Sequence, residues 1–325
     1  MRRRDFLGGS ALAPLLLSYR GLGQTTAPQA PLPPLPAAGA DGWISLLNGR
    51  DLSGWYSMLQ RSGKGVAETK EMILMESGMV HILGNELVEG ELVESGYLAT
   101  NQEFGNVHIR VEYHWGMKNF APRTLAKRDS GLLYGLVGED RVWPSCVECQ
   151  IEEGDVGDVY LLGGIQGMQD GHVTGLFGQG VSPNTGWPTP GSSAGRGGGG
   201  GGAARGGGGA PAGGAGAAAG RGGGGRGPGA TPPPPGSPLP VPPGNRLIRD
   251  GDFENVNEWN VVEVIWQGDR ALHLVNGRAV NSISRLQQAD PQNPGQYVPL
   301  TRGKIALEIE YSEIWFRRVE VKSLV

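Results

Sequence analysis

Between Val107 and Trp115 every second residue is apolar: Val107, Ile109, Val111, Tyr113 and Trp115 alternate with His108, Arg110, Glu112 and His114. A period of two is that of a β-strand with one face in a core and the other outside it. The same rhythm runs from Val147 to Glu153, where Val147, Cys149 and Ile151 face one way and Glu148, Gln150 and Glu152 the other. That strand leads into an acidic turn, Gly154-Asp155-Val156-Gly157-Asp158, and an apolar run resumes over 159–162. Further short apolar runs at 43–47, 79–83, 97–100, 261–267, 271–276, 278–282, 304–310 and 313–322 are separated by Gly, Asn and Pro turns. Asn276-Gly277 between two of them is a two-residue hairpin signal. About ten to twelve short strands with no helical period predict an all-β protein, a β-sandwich.

Composition changes this picture in one place. The chain has 325 residues and 58 glycines, and most of the excess glycine lies in 191–244, which also holds the run Pro232-Pro233-Pro234-Pro235. Such a block has no apolar surface to bury, so the sequence predicts a disordered Gly/Pro-rich insertion over 191–244. Strands on both sides are needed to complete the sheets, so residues 41–190 and 245–325 form one domain. A long insertion is tolerated because loop-closure entropy grows slowly with length. At the start, Arg3-Arg4-Asp5-Phe6-Leu7, a short apolar stretch over 7–17 and the small residues Gly21 and Gly23 predict a twin-arginine signal peptide over 1–23, followed by a Pro-rich connector over 24–40. The apolar stretch is short for a bilayer, which predicts a mature chain without a stable membrane span, in the periplasm or secreted.

The leader carries +3 (Arg2, Arg3, Arg4 and Arg20 against Asp5) and the Gly-rich block +4 (Arg196, Arg205, Arg221 and Arg226). With a formal net charge of −4 for the whole chain, −11 remains for the folded part. A body so acidic argues against a nucleic-acid partner and suits neutral ligands or cations. Cys146 and Cys149 point to opposite faces of one strand, which excludes a disulfide between them there and leaves Cys149 as core filler.

Several stretches resemble one family. Leu46-Leu47-Asn48-Gly49-Arg50-Asp51-Leu52-Ser53-Gly54-Trp55, Asp129-Ser130-Gly131-Leu132-Leu133 and Val147-Glu148-Cys149-Gln150-Ile151 are followed by Trp259-Asn260, Leu274-Val275-Asn276-Gly277 and Ile314-Trp315-Phe316-Arg317-Arg318-Val319. In that order they resemble the 3-keto-disaccharide hydrolase domain family. The resemblance implies a concanavalin A-like jelly roll, a carbohydrate substrate, and hydrolysis of glycosides already oxidised at C3. A C3 ketone acidifies the C2 proton, so a base can form an enolate that expels the C1 oxygen, and water then adds to the enone. Such a route asks for a base over C2, an electrophile for the enolate oxygen and an acid for the leaving group.

Glu148, Asp129 and His114 are the candidate catalytic groups, and Gln150, Glu152, Arg110, Trp143 and Arg317 the candidate substrate contacts. Asp155 and Asp158 are candidate ligands for a divalent cation, against the alternative that Gly-Asp turns cap themselves by Asx hydrogen bonds. No other cofactor is expected. Three functional classes stay open: an exported hydrolase, or eliminase and hydratase, of 3-keto glycosides; a non-catalytic, lectin-like carbohydrate-binding domain; and, third in order, a cell-surface interaction module tethered by the Gly-rich tract.

Overall fold

Alternating strands with one apolar face close on themselves only by stacking two sheets, and the computed structural model has that architecture. It describes residues 35–84, 87–173, 236–239 and 245–324. The predicted signal peptide, most of the connector and most of the Gly/Pro-rich block lie outside the described residues. One antiparallel sheet has ten strands. Its path runs Gln166–Gln169, Arg278–Ala289, Arg270–Val275, Asn260–Gln267, Val107–Asn119, Ser312–Ser323, Met79–Ile82, Ile73–Glu76. Trp43–Ser45 pairs with Ser312–Ser323, and Tyr297–Pro299 with Arg278–Ala289. The other sheet has eight strands, in the order Arg246–Leu247, Val159–Leu162, Ser145–Glu152, Asp129–Val137, Lys304–Ile309, Gly96–Thr100, Trp55–Leu59, Gly63–Lys64. The two sheets form a concanavalin A-like jelly-roll sandwich.

The alternation read from the sequence is the one that builds the core. Val107, Ile109, Val111, Tyr113 and Trp115 meet Val147, Cys149, Ile151, Leu132, Tyr134, Ile305, Leu307 and Ile309 between the sheets. Each such aliphatic side chain contributes roughly 1.5–3 kcal/mol on burial, so this interior holds both polar faces in register. Asn276 and Gly277 turn the hairpin with φ of 49° and 76°, the positive pair a two-residue turn needs. Cys146 and Cys149 are free and buried on opposite faces, Cys149 in the inter-sheet core.

One expectation is corrected. The Gly/Pro-rich block was expected to bury nothing along its whole length, but Gly236–Leu239 joins the fold. Leu239 is buried, its amide donates to Gln166 Oε1 at 2.7 Å, and Gln287 Nε2 donates to the carbonyl of Ser237 at 3.0 Å. Pro238-Leu239 supplies an apolar side chain that the glycine stretches lack. Among the described residues no helix is long and apolar enough to cross a membrane.

Candidate functional site

The outer face of the eight-stranded sheet receives every second residue of its strands. Cys146, Glu148, Gln150 and Glu152 come from one strand, Asp129, Gly131 and Leu133 from its neighbour, and Ala306 and Glu308 from the next, with Glu310 just past its end. Here a cleft of about 410 Å³ is lined by Asp129, Glu148, Gln150, Glu152, Glu308 and Glu310, with Arg123, Arg246, Trp143, Tyr160 and Leu162 completing its walls. A second pocket, apolar and about 180 Å³, lies under Leu35 and Pro36 and carries no titratable side chain.

Gly131 is what lets the acids converge. A Cβ at that position would stand 2.7 Å from Glu308 Oε2 and 2.8 Å from Glu148 Oε1, so only glycine allows the two carboxyl groups to meet above the strand. The two carboxyl groups converge over Gly131, and Glu308 Oε2 is buried with no hydrogen-bond partner. At 1% and 5% exposure, both carboxyls are pushed well above the usual range, first by burial and then by neighbouring carboxylates.

Arg123 clamps the other acids. Its Nη1 lies 2.5 Å from Asp129 Oδ2 and 2.7 Å from Glu310 Oε1, and its Nη2 3.5 Å from Glu152 Oε1. Burial and Glu310 still push Asp129 up to about 8 against the pull of that guanidinium, and Asp129 Oδ1 is buried with no partner. Glu310 is raised by burial, with Arg123 opposing, and Glu152 by burial and Asp155. Five carboxyl groups thus share one dedicated cation. Protons must stay in the cleft at neutral pH, because like charges this close cannot all ionise.

The sequence-derived candidates divide cleanly. Glu148, Asp129, Gln150, Glu152 and Trp143 meet in the cleft. His114, Arg110 and Arg317 do not: they stand on the outer face of the ten-stranded sheet, on the far side of the core. His114 Nε2 is 3.2 Å from the carbonyl of Asn257, Arg110 pairs with Glu263 at 3.3 Å, and Arg317 pairs with Glu112 at 2.7 Å. Their strands alternate as expected, but the period of two says nothing about which sheet a strand joins.

Asp155 and Asp158 do not line the cleft and are engaged by the chain's own basic side chains. Asp158 is fully buried between Arg246 at 2.5 Å and Arg249 at 3.0 Å. Asp155 faces Lys127 at 2.9 Å, Arg249 at 3.1 Å and Arg246 at 3.4 Å. Burial alone would raise Asp155, but these cations outweigh it and hold it at about 2. Their role is to fix Arg246 in the cleft wall. Among the described residues no group of three or more His, Cys, Asp or Glu side chains is arranged to hold a metal ion.

Glu308, Glu310, Arg123, Arg246 and Tyr160 were not singled out from the sequence. The two glutamates were within reach, since Ile305, Leu307 and Ile309 alternate with Lys304, Ala306, Glu308 and Glu310. Arg123 lies outside any strand and left no periodic trace.

The model of the family described as the 3-keto-alpha-glucoside-1,2-lyase-like domain matches residues 42–322. No curated protein matches the sequence. Among solved structures, a candidate glycosyl hydrolase from Parabacteroides distasonis ATCC 8503 is similar at 16% identity, over 88% of this chain and 96% of that one, with a TM-score of 0.44. The carbohydrate-binding module CBM66 from Bacillus subtilis is similar at 9% identity, over 83% and 96%, with a TM-score of 0.37. A Bacillus subtilis protein of unknown function with a galectin-like fold follows at 11%, over 86% and 94%, also with a TM-score of 0.37.

Proposed function

The chain belongs to the 3-keto-alpha-glucoside-1,2-lyase-like family, and from that premise we propose that the cleft cleaves glycosides carrying a ketone at C3, by elimination across C1 and C2. The observation that carries this reading is the convergence of the Glu148 and Glu308 carboxyl groups over Gly131, beside Asp129, in one cleft. Glu148 is the base. A carboxylate whose pKa is raised by burial accepts a carbon-bound proton better than a free one.

The C2 proton passes to Glu148 and its electron pair enters the C2–C3 enolate. The carbonyl re-forms as the C1–O bond breaks, and Asp129 gives its proton to the departing oxygen. The products are an enone sugar and the free alcohol, and water adding at C1 of the enone completes a net hydrolysis. Arg246, fixed by Asp158, offers donors for the ketone oxygen as negative charge develops there. Trp143 and Tyr160 offer ring faces to the sugar.

The test is release of free sugar from a 3-keto disaccharide, with the unoxidised disaccharide as control. Glu148→Gln keeps the shape and removes the base, so the rate falls by at least about a hundred-fold. Cys149→Ser, on the opposite face of the same strand, leaves turnover per folded molecule unchanged. Normal turnover by Glu148→Gln removes Glu148 from the reaction. Binding of both sugars with no turnover assigns the cleft to a lectin instead.

A further inference from the structure

The cleft occupies only part of the sheet face on which it is built. One row of side chains crosses the strands from Tyr160 through Glu148, Leu133, Ala306 and Ala99 to Tyr56. From Glu148 to Tyr56 the row covers four inter-strand spacings, about 19 Å, which is longer than a single sugar ring. The next row sets Glu308 directly beside Tyr97. Yet Leu133, Ala306, Ala99, Tyr97 and Cys146 are wholly buried, although no second sheet lies on this side.

Part of what covers them is the segment 138–144. Val142 packs on that cluster together with Leu162, and Trp143 forms the cleft wall at this boundary. The segment is pinned through one carboxylate. Asp140 Oδ1 accepts from Tyr56 Oη at 2.5 Å and Tyr97 Oη at 3.1 Å, and Asp140 Oδ2 accepts from Lys64 Nζ at 2.6 Å. Both tyrosines are raised, first by burial and then by Asp140, and Asp140 is lowered because Lys64 and Tyr56 outweigh its burial. The far end of the segment is held where Ser145 Oγ donates to the carbonyl of Gly163 at 2.7 Å. A Cβ on Gly163 would come within 2.5 Å of Ser145 Cα, so that junction is also built for close approach.

We propose that the Asp140-pinned segment closes the groove on the Tyr56 side, so that the site is a blind pocket admitting only the terminal ring of a glycoside, and that Asp140 is a positioning residue acting through Trp143. A chain oxidised at an internal ring would have to extend in both directions past Glu148 and Glu308, and on the Tyr56 side the segment carrying Asp140 and Val142 stands in the way. The specificity so assigned is for terminal 3-keto rings; it rests on the reading of the cleft as a glycoside site. The position of the cover does not.

The experiment uses Asp140→Ala and two readouts. Cys146 lies beneath the cover and Cys149 between the sheets, so thiol labelling of the native protein reports the cover without any sugar. The natural protein is expected to label at neither cysteine, and Asp140→Ala at Cys146 alone. The natural protein is also expected to process a disaccharide with a terminal ketone at least about ten-fold faster than a trisaccharide oxidised at its middle ring, and the variant to lose that preference, with KM for the disaccharide rising more than kcat falls. If Asp140→Ala leaves Cys146 unreactive, the pin does not hold the cover and the proposal is overturned. If Cys146 becomes reactive but the preference stays, the cover does not set specificity and the proposal is equally overturned. Should the natural protein turn over neither sugar, the reaction assigned to the cleft fails separately. Binding of unoxidised di- and trisaccharides then decides: a trisaccharide bound well only by the variant supports the blind pocket, and equal binding by both proteins refutes it.

Discussion

Replacing Glu308 by glutamine changes the stability of the protein in a way that depends on pH, and the sign follows from the direction in which burial moves its carboxyl group. Glu308 has its folded pKa raised above the ordinary value of 4.5. The fold therefore suffers no penalty below pH 4.5, and a growing one as pH rises and the unfolded chain loses a proton that the folded chain must keep. The penalty grows through each pH unit above 4.5 in which the folded chain still holds that proton. The amide of glutamine puts an N–H where the carboxyl O–H stood and can donate to Glu148 without holding a titrating proton. Relaxation and water entry soften buried-charge penalties, so a gain of about 2–3 kcal/mol is expected. For a domain of this size that raises the melting temperature by about 4–12 °C at pH 7.5, and leaves it nearly unchanged at pH 4. Thermal unfolding of both proteins at the two pH values is the assay. A gain of equal size at both, or a loss at pH 7.5, would show that Glu308 does not hold the proton.

The remaining predictions address other parts of the molecule. Gly131→Ala forces the Glu148 and Glu308 carboxyls apart, and is expected to cost about 1–3 kcal/mol by denaturant unfolding while lowering turnover more than substrate binding. With Asp129 as the acid at a pKa of about 8, kcat/KM falls above that pH, and Asp129→Asn removes this limb of the pH profile along with most of the rate. Deleting residues 197–230 while keeping Gly236–Leu239 is expected to leave the melting temperature within a few degrees, whereas Leu239→Ala lowers it. Changing Arg3 and Arg4 to lysine is expected to stop export, read from cell fractions; unchanged export would refute a twin-arginine leader.

Much of the outer face was legible because a strand's period of two is a local property. Val147, Cys149 and Ile151 sorted themselves from Glu148, Gln150 and Glu152 with no knowledge of the partner strands. The choice of sheet is not local. His114, Arg110 and Arg317 carry the same alternation as Glu148, and only strand order separates them from the cleft by the thickness of the core. Asp155 and Asp158 look like free ligands until Arg246 and Arg249, some ninety residues later in the chain, arrive to neutralise them. Arg123 and Asp140 act from loops, where no periodicity announces a side chain's direction. The Gly131 gap became meaningful only once Glu308 was known to lie across from it.

The position of Lys304–Ile309 has a consequence for how the protein comes into being. This strand is interior to its sheet, between Asp129–Val137 and Gly96–Thr100, and Ser312–Ser323 is likewise interior to the other sheet. While the ribosome is still adding residues before 304, each nascent sheet has a gap at its middle, and strands already made present unpaired edges that invite wrong partners. Glu148 and Glu308 cannot meet until Lys304–Ile309 has emerged, since their strands lie far apart in the chain. Removal of Lys304–Ile309 or Ser312–Ser323 is therefore expected to abolish folding rather than trim an appendage, and the pairing of such distant segments places this chain among slow folders. Until its final strands are in place, the newly made chain depends on being shielded from its neighbours.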